Sequence, residues 1–275
     1  MPILQPPDHP SYPHHAHPSP ELGRADLHLH TLASDGLMSA RALVDYAEAR
    51  TQLDVIAVTD HDEMGAAREA REWAARNNYR VQVVPGVEVT TRDGHLLALF
   101  LEERPPALRS LADTAEWVLR QGGLCIAPHP FTRWTHSLHG RSLLHAAEAG
   151  LLAGVEVLNA SPAGRASRPK AVRFAAEQGL ATIGASDAHM LRVIGLAQTR
   201  FTGHTLEDLR RAIESRTVQA EGRFAHAHEI AAEALPQLGR SMVHLPLRRL
   251  ARLRPALAGR WSRRRAARPL PALED

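Results

Sequence analysis

The 275-residue sequence has very little cysteine and lysine: Cys125 is its one cysteine and Lys170 its one lysine. A single cysteine excludes an intrachain disulfide, and within the apolar run LCIA it is predicted to be a small core residue. No apolar run reaches the roughly 20 residues that a membrane-spanning helix needs. A basic segment followed by an apolar stretch is also missing near residue 1, so no signal peptide is predicted. These absences predict a cytoplasmic protein.

Composition limits the architecture as well. No internal repeat and no glycine-rich phosphate loop is visible. Hydrophobic residues make up 44% of the chain, which is enough for a sizeable core. A length of 275 residues suits one large domain or two small ones, and a barrel of alternating strands and helices would use most of it.

Charge is spread unevenly along the chain, although the net charge is only +3. Residues 241–275 contain nine arginines against two acidic residues, so the remainder of the chain is net acidic. This basic tail has three open interpretations: it packs on the barrel as a closing helix, lies on an anionic membrane surface, or attracts nucleic acid. Trp261 is its one aromatic residue, which is few for a single-strand binder.

The chain is predicted to have three parts. Residues 1–24 contain seven prolines and four histidines and are expected to be a disordered arm, because they have too few apolar side chains to offset the entropy of ordering. Residues 25–222 are expected to form one barrel domain. Residues 223–275 are expected to form a basic C-terminal extension.

The segment Ala25–Asp35, with the sequence ADLHLHTLASD, suggests a metal site. In an extended strand the apolar residues would share one face, while His28 and His30 would share the other. Two adjacent imidazoles at a strand end are suitable ligands for zinc, iron, manganese or nickel. A half-exposed strand with two polar histidines explains the same letters, so this pattern is weak by itself.

Five later segments repeat the arrangement, in which a short apolar run has His, Asp or Glu at or beside one end. Together with alternating helix-like segments they predict a parallel sheet whose strand ends meet at one face, as in a barrel. The five segments are Thr59–Asp62, Gly86–Val89, His95 before Leu96–Leu101, Pro128–Pro130 and Ser186–His189.

Six motifs make the sequence similar to the PHP (polymerase and histidinol phosphatase) family over roughly residues 25–223: DLHLHTLASDG, VTDHD, GVEVT, GHLLALF, APHPF and GASDAH. The resemblance implies an α/β fold with a distorted seven-stranded (β/α)7 barrel, and seven candidate strands can be counted. It also implies an enzyme, a metal-dependent phosphoric ester hydrolase.

The resemblance further implies a set of metal ligands that holds two or three divalent ions. Because these ligands are histidines and carboxylates, zinc, manganese or iron is expected, and the sequence does not choose among them. One ion would be held by His28, His30, Glu88 and Asp187, a second by Glu88, His95 and His129, and a third by Asp35, His61 and His189.

Four further residues are candidates for catalysis or substrate binding. Asp60 and Asp62 flank His61, and either could accept the second ring N–H of a ligating imidazole, or Asp62 could cap a loop. Arg133 and Arg165 could each bind a substrate phosphate, or form an ordinary surface salt bridge. Glu156 is left open between the barrel interior and an ion pair with an arginine.

The predicted activity is hydrolysis of a phosphomonoester of a small metabolite or nucleotide, with hydroxide supplied by metal-bound water at a multinuclear site. A second prediction is a phosphodiesterase or 5′-3′ exonuclease that acts on short oligonucleotides, with the basic tail holding the nucleic acid. A third is a non-catalytic binding module that the metals only stabilise.

Overall fold

The computed structural model describes residues 22–133, 135–244 and 246. Residues 1–21 of the predicted arm and nearly all of the basic tail after residue 244 lie outside the described residues. The strands are β1 (Leu22–Leu29), β2 (Val55–Val58), β3 (Gln82–Thr90), β4 (His95–Leu99), β5 (Leu124–Ala127), β6 (Gly154–Asn159), β7 (Ala181–Ala185), β8 (Ala197–Thr202) and β9 (Gln219–Gly222). The α-helices are α1 (Ala40–Arg50), α2 (Gly65–Arg76), α3 (Leu111–Arg120), α4 (Gly140–Glu148), α5 (Pro162–Gln178), α6 (Leu206–Glu214) and α7 (Ala227–Gly239).

These strands form one sheet in the order β7-β6-β5-β4-β3-β2-β1-β8-β9. The prediction of seven strands is wrong, because β8 and β9 extend the sheet to nine strands within the described residues. The prediction of a parallel sheet is also only partly right. Strand β4 runs antiparallel to both β3 and β5, and β8 runs antiparallel to both β1 and β9.

The two ends of the sheet, β7 on one side and β8 with β9 on the other, approach each other and nearly close a barrel. Thr199 on β8 exchanges hydrogen bonds with Gly184 on β7: its Oγ1 donates to the Gly184 carbonyl at 2.8 Å and accepts from the Gly184 N–H at 3.1 Å. A Cβ atom at Gly184 would lie 2.3 Å from the Gln198 carbonyl oxygen, so glycine permits this approach. The predicted barrel class is therefore confirmed, in a mixed and incompletely closed form.

Among the described residues, three large clusters of buried apolar side chains and a small fourth one around Leu158 form the core. One packs α1 and α2 against β1–β3, and another packs α3, α4 and α5 against the β4–β6 side. The third combines Leu27, Val84, Leu97, Ile183 and other strand residues with side chains of α6. These strands are far apart in the order of the sheet, so their side chains can meet only in the interior that the curved sheet encloses. This third cluster therefore fills the barrel.

Polar side chains cap the first turn of several helices. Ser39 caps α1 by accepting a hydrogen bond from the Ala42 N–H, and Ser110 caps α3 in the same way. Thr205 and Asp208 form a capping box at the start of α6. Cys125 is buried on β5, and burial raises the pKa of its thiol, as expected for a core residue rather than a nucleophile.

A helix that the sequence did not predict in this place, α7, follows the sheet. It lies across the open end of the barrel, where Ile230 packs against the cluster formed by α1 and α2. None of the described helices is long and apolar enough to cross a bilayer.

Candidate metal centre

Loops and strand ends bring the nine predicted ligand residues to one end of the barrel. His28 lies on β1 and His30 follows it, whereas Glu88 lies near the end of β3. Because β4 is antiparallel, its first residue, His95, reaches the same end as the final residues of its parallel neighbours. The other five lie in loops after β1, β2, β5 and β7: Asp35, His61, His129, Asp187 and His189.

Glu88 is at the centre of this group and is 1% exposed. Its Oε1 lies 2.9 Å from His95 Nδ1 and 3.0 Å from His129 Nε2. Its Oε2 lies 3.3 Å from His28 Nε2, 3.4 Å from His30 Nε2 and 3.1 Å from His61 Nδ1. One carboxylate thus faces five imidazoles.

Two further carboxylates extend the cluster. Asp187 Oδ1 lies 3.5 Å from His28 Nε2 and 3.3 Å from His30 Nε2. Asp35 Oδ1 lies 3.3 Å from His189 Nε2, and Asp35 Oδ2 lies 3.8 Å from His61 Nε2. The carboxylates therefore alternate with imidazoles across the site.

The hydrogen-bond balance of the histidines fits divalent metal ions. Four buried ring nitrogens, on His28, His30, His61 and His95, make no hydrogen bond, although burial without a partner is costly for a polar atom. All four face the central carboxylates. Four groups of three ligand atoms within 4.8 Å of one another could each hold an ion: His28–His30–Asp187, His28–Glu88–His129, His30–Asp35–His189 and His30–His61–Glu88. Their division into particular ion sites stays a prediction.

The buried carboxylates and imidazoles of this group shift one another's pKa values. Burial lowers the pKa of His61 to about 3, so its imidazole is neutral and able to act as a ligand. Burial would also lower the pKa of His189, but the Asp35 carboxylate outweighs it and raises that pKa to about 9. The pKa of His28 is raised well above its usual value, because Asp187, Glu156 and Glu88 outweigh burial.

The backbone is also unusual at this centre. His129 has a φ of 28°, Asp187 of 54° and Asp62 of 51°, all in the left-handed region that non-glycine residues rarely adopt. Such conformations persist only where the surroundings hold them, and they cluster at functional sites. Here they turn the loops after β2, β5 and β7 into the barrel mouth.

Glu156 is the carboxylate that orients a candidate ligand, and it faces the barrel interior. Its Oε1 lies 2.8 Å from His28 Nδ1, while its Oε2 accepts hydrogen bonds from the His129 N–H at 2.7 Å and from Asn159 Nδ2 at 2.9 Å. Asn159 Nδ2 also donates to Asp187 Oδ2 at 3.2 Å. Sequence reasoning did not assign Asn159, and its position at the end of β6 was the available signal.

Asp60 and Asp62 both accept hydrogen bonds from groups of the neighbouring loops and strands. Asp60 accepts hydrogen bonds from the backbone and hydroxyl groups of both Thr31 and Ser34, which fixes the loop that carries Asp35. Asp62 Oδ1 accepts from the Thr90 N–H at 2.8 Å, which matches the loop-cap alternative. Both residues are placed to position the site, and their predicted catalytic role stays a prediction.

The two predicted phosphate-binding arginines are exposed. Arg133 lines a cavity of about 480 Å³ beside the metal centre, together with His136, His139 and Lys170. Arg165 lies elsewhere on the surface, with its guanidinium 5.0 Å from the centre of the Phe224 ring. The structure thus brings Arg133 near other basic side chains, whereas Arg165 stacks on an aromatic partner.

Three hydroxyl groups form a cluster beside His129 that the sequence analysis missed. Ser137 Oγ lies 3.0 Å from His129 Nδ1 and 2.6 Å from the hydroxyl oxygens of both Thr132 and Thr135. With its Nε2 directed at Glu88, His129 can donate its Nδ1–H to Ser137. The loop sequence FTRWTHS contains the hydroxyls but has no spacing that marks them.

Comparisons with known proteins show which family the chain belongs to. A model described as "PHP domain" matches residues 26–139, and one described as "PHP-associated" matches residues 166–218. An uncharacterized protein of Methanocaldococcus jannaschii is 33% identical over 148 residues, which cover 50% of this chain and 82% of that protein. The chain belongs to the PHP family, and the family predicted from the motifs is confirmed. Its class is therefore that of metal-dependent phosphoric ester hydrolases.

Two relatives with named activities match over shorter stretches. The 5′-3′ exoribonuclease Rnm of Salmonella typhimurium is 38% identical over 88 residues, which is 30% of each chain. A 3′,5′-nucleoside bisphosphate phosphatase of Chromobacterium violaceum is 35% identical over 91 residues, 32% of this chain and 31% of that one. The chain spans about a third of the length of these two relatives.

One solved structure supports the fold. It is a two-domain protein from Bacteroides vulgatus, described as containing a predicted PHP-like metal-dependent phosphoesterase. It matches with a TM-score of 0.65 and 21% identity, over 80% of this chain and 70% of that one.

Proposed function

We propose that the protein hydrolyses a phosphomonoester of a small metabolite or nucleotide at a site of two or three divalent metal ions. The observation that carries this proposal is the set of nine side chains converging on one space, with Glu88 facing five imidazoles. Histidine and carboxylate ligands suit zinc, manganese or iron. When bound, such ions neutralise phosphoryl oxygens and lower the pKa of bound water toward about 7.

The protein's own residues prepare the site in defined ways. Glu156 fixes the orientation of His28, and Ser137 does the same for His129. Asp60 holds the loop that carries Asp35. Because these supporting groups are buried, the ligand atoms are arranged before a substrate arrives, which lowers the reorganisation needed during the reaction.

Substrate recognition is proposed to involve Arg133. The cavity that it shares with His136, His139 and Lys170 concentrates positive charge beside the candidate metal site, and arginine can bind phosphate through two parallel hydrogen bonds. A substrate with a second anionic group would benefit most. Arg165 is kept as a weaker substrate-binding candidate, because its guanidinium already stacks on Phe224.

The second proposed function is a phosphodiesterase or 5′-3′ exonuclease that acts on short oligonucleotides. It is supported by the similarity to the exoribonuclease, which covers 30% of that protein. Residues 241–275, with nine arginines, would supply the charge that holds the nucleic acid. Independently of the substrate, we propose that the chain divides into an arm of residues 1–24, a barrel of residues 25–222 and an extension of residues 223–275.

An activity screen of manganese-reconstituted protein tests these proposals. It compares p-nitrophenyl phosphate, its bis-ester, a nucleoside bisphosphate and short oligonucleotides, in the wild type and in the His61→Ala and Asp187→Ala variants. The exposed His145 on α4 supplies a matched control, His145→Ala. We expect both site variants to lose hydrolysis and the control to keep it. Equal hydrolysis in all four proteins would reject the site, and turnover confined to oligonucleotides would favour the second function.

A further inference from the structure

A second cavity lies between α7 and the barrel mouth, on the other side of Thr135 from the basic cavity. Its volume is about 370 Å³. The wall on the barrel side includes Pro162, Met190 and Val193, and the wall on the α7 side includes Ile230 and Ala234. Aliphatic side chains therefore contribute much of the lining, together with polar groups that include Thr135, Ser186 and Gln237.

This apolar cavity is continuous with the candidate metal centre. Asp187 and His189, two of the nine predicted ligands, are part of its lining. A phosphate held by these two residues would therefore lie at the entrance to this cavity. The cavity is thus placed to receive the part of the substrate that leaves.

The first turn of α7 is fixed to the barrel by polar contacts. The Arg223 guanidinium donates two hydrogen bonds to the Glu229 carboxylate, at 2.8 and 2.6 Å. Just before the helix, the Ala225 N–H donates to the Ala160 carbonyl at 2.8 Å. Residue Ala160 itself belongs to the cavity lining, so this contact sets the distance between the two walls.

The other end of α7 is fixed to the metal centre itself. Ser241 Oγ donates to Asp35 Oδ2 at 2.6 Å and accepts from Gln237 Nε2 at 2.8 Å. Arg240 donates from Nη2 to the carbonyl of Leu32 at 2.9 Å, in the same loop that carries Asp35. A helix held at both ends is a built wall of the cavity, and its position depends on the same loop as the candidate ligands.

The volume of the cavity and the charge of its lining indicate which chemical groups it can bind. A dry cavity of about 150 Å³ holds a benzene molecule, so 370 Å³ accommodates a one- or two-ring system. No arginine or lysine is among the residues that line it, whereas the neighbouring cavity has both. A second phosphate would go to the basic side, and an uncharged ring would go to the aliphatic side.

We propose that the cavity between α7 and the barrel mouth binds an uncharged aromatic leaving group of the substrate, and that Ile230 and Ala234 set the size of ring accepted. This inference rests on the proposed phosphoesterase function, whose substrate class it narrows. The committed occupant is the ring of an aryl or nucleoside phosphate.

The first test measures binding without turnover. Calorimetry measures the affinities of phenylphosphonate and methylphosphonate for the manganese-loaded wild type. The same measurement is made on Ala234→Trp, in which the new ring fills the cavity, and on Leu235→Trp as a control. Leu235 is 80% exposed on the outer side of the same helix. The phenyl compound is expected to bind about 10-fold more tightly to the wild type and to Leu235→Trp, and this advantage is expected to vanish in Ala234→Trp. Equal affinity for both phosphonates in the wild type would overturn the proposal.

The second test uses a cavity-enlarging variant, which also covers misfolding of Ala234→Trp. In Ile230→Ala, the ratio of kcat/KM for 1-naphthyl phosphate over phenyl phosphate should rise about 10-fold, with glycerol 3-phosphate little changed. An unchanged ratio rejects the cavity as the ring site. If no ester is hydrolysed in a metal-dependent manner while phenylphosphonate keeps its advantage, the proposed function fails and the binding site stands.

Discussion

The Oε1 atom of Glu156 lies 2.8 Å from Nδ1 of His28, and both side chains are buried. This contact leaves Nε2 of His28 as the free ring atom, directed at Glu88 and Asp187. A carboxylate that accepts the second N–H of an imidazole fixes its tautomer and makes it a better ligand. The pair thus explains how a histidine inside the barrel is prepared for a metal ion.

Glu156→Gln should weaken metal binding by about 10- to 100-fold while the fold is kept, because the amide retains the shape of the side chain but not its charge. Metal content after dialysis and a competitive manganese titration measure the effect. The exposed Glu177 on α5 provides the control, Glu177→Gln, which should bind metal like the wild type. Unchanged affinity in Glu156→Gln would show that Glu156 does not support the metal centre.

Metal removal should lower the thermal stability of the protein. The fold brings together candidate ligands that the unfolded chain keeps apart, so an ion at about 100-fold above its Kd is expected to add about 2.7 kcal/mol to the free energy of unfolding. Scanning calorimetry with and without a chelator, followed by manganese readdition, measures this. Asp187→Ala should lose most of the response, and His145→Ala should keep it. A Tm that changes with neither chelator nor manganese would contradict the prediction of a metal centre.

Metal binding near pH 7 should release protons. In the metal-free chain the pKa of His189 is raised to about 9, mainly because Asp35 outweighs burial, and the pKa of His28 is also raised. Ions must displace these protons, so the apparent affinity should rise by about tenfold per pH unit for each proton released, up to about pH 9. Calorimetry of binding in buffers with different ionisation enthalpies counts the protons. Affinity that is flat between pH 6 and 9 would contradict this prediction.

The same raised pKa has a consequence for the metal-free fold. His189 is more basic in the folded than in the unfolded chain, so its protonation stabilises the fold fully below about pH 6.5. That contribution should be lost as pH rises through about 9. Urea unfolding of chelator-treated protein measures the trend, and Asp35→Asn, which removes the main cause of the raised pKa, should flatten it.

Gly184→Ala should destabilise the barrel by about 1–3 kcal/mol, because the new Cβ atom would overlap the Gln198 carbonyl at the seam between β7 and β8. Chemical denaturation gives the free energy of unfolding. Gly239 at the end of α7 is the matched control, since a Cβ atom there would meet nothing within 4 Å. Gly239→Ala should therefore leave the fold as stable as the wild type or slightly more stable, because alanine favours a helix more than glycine does. Equal effects of the two substitutions would contradict the closure of the sheet.

Arg133→Ala should raise KM about 10-fold for substrates that carry a second phosphate and have little effect on p-nitrophenyl phosphate, because the basic cavity lies beside the metal centre. Steady-state kinetics with a nucleoside bisphosphate and p-nitrophenyl phosphate separate the two. Arg168→Ala, at an exposed position on α5, is the control. An equal change in KM for both substrates would show that Arg133 does not recognise the second phosphate.

Prediction from sequence worked best where side-chain chemistry coincided with a clear apolar run. Val55–Val58 and Leu124–Ala127 are almost wholly apolar, and each leads directly into a predicted ligand, His61 or His129. Strand β9, with the sequence QAEG, is mostly exposed and has no apolar signal. In β8, with the sequence AQTRFT, burial alternates, but Ala197 and Phe201 are the only apolar residues. The antiparallel direction of β4 was missed, although Asp93-Gly94 marks the short turn that joins β3 to β4.

The sequence by itself determined the family, the α/β barrel class and the nine residues that meet at its mouth, because motif letters and strand periodicity are local properties. Only the tertiary structure decided that Glu156 faces His28, that Asp60 and Asp62 hold loops, and that α7 forms one wall of a cavity over the centre. Glu156 and His28 are 128 positions apart, and Ser241 and Asp35 are 206 apart. Contacts over such separations depend on how the whole sheet closes, which no local pattern of residues encodes.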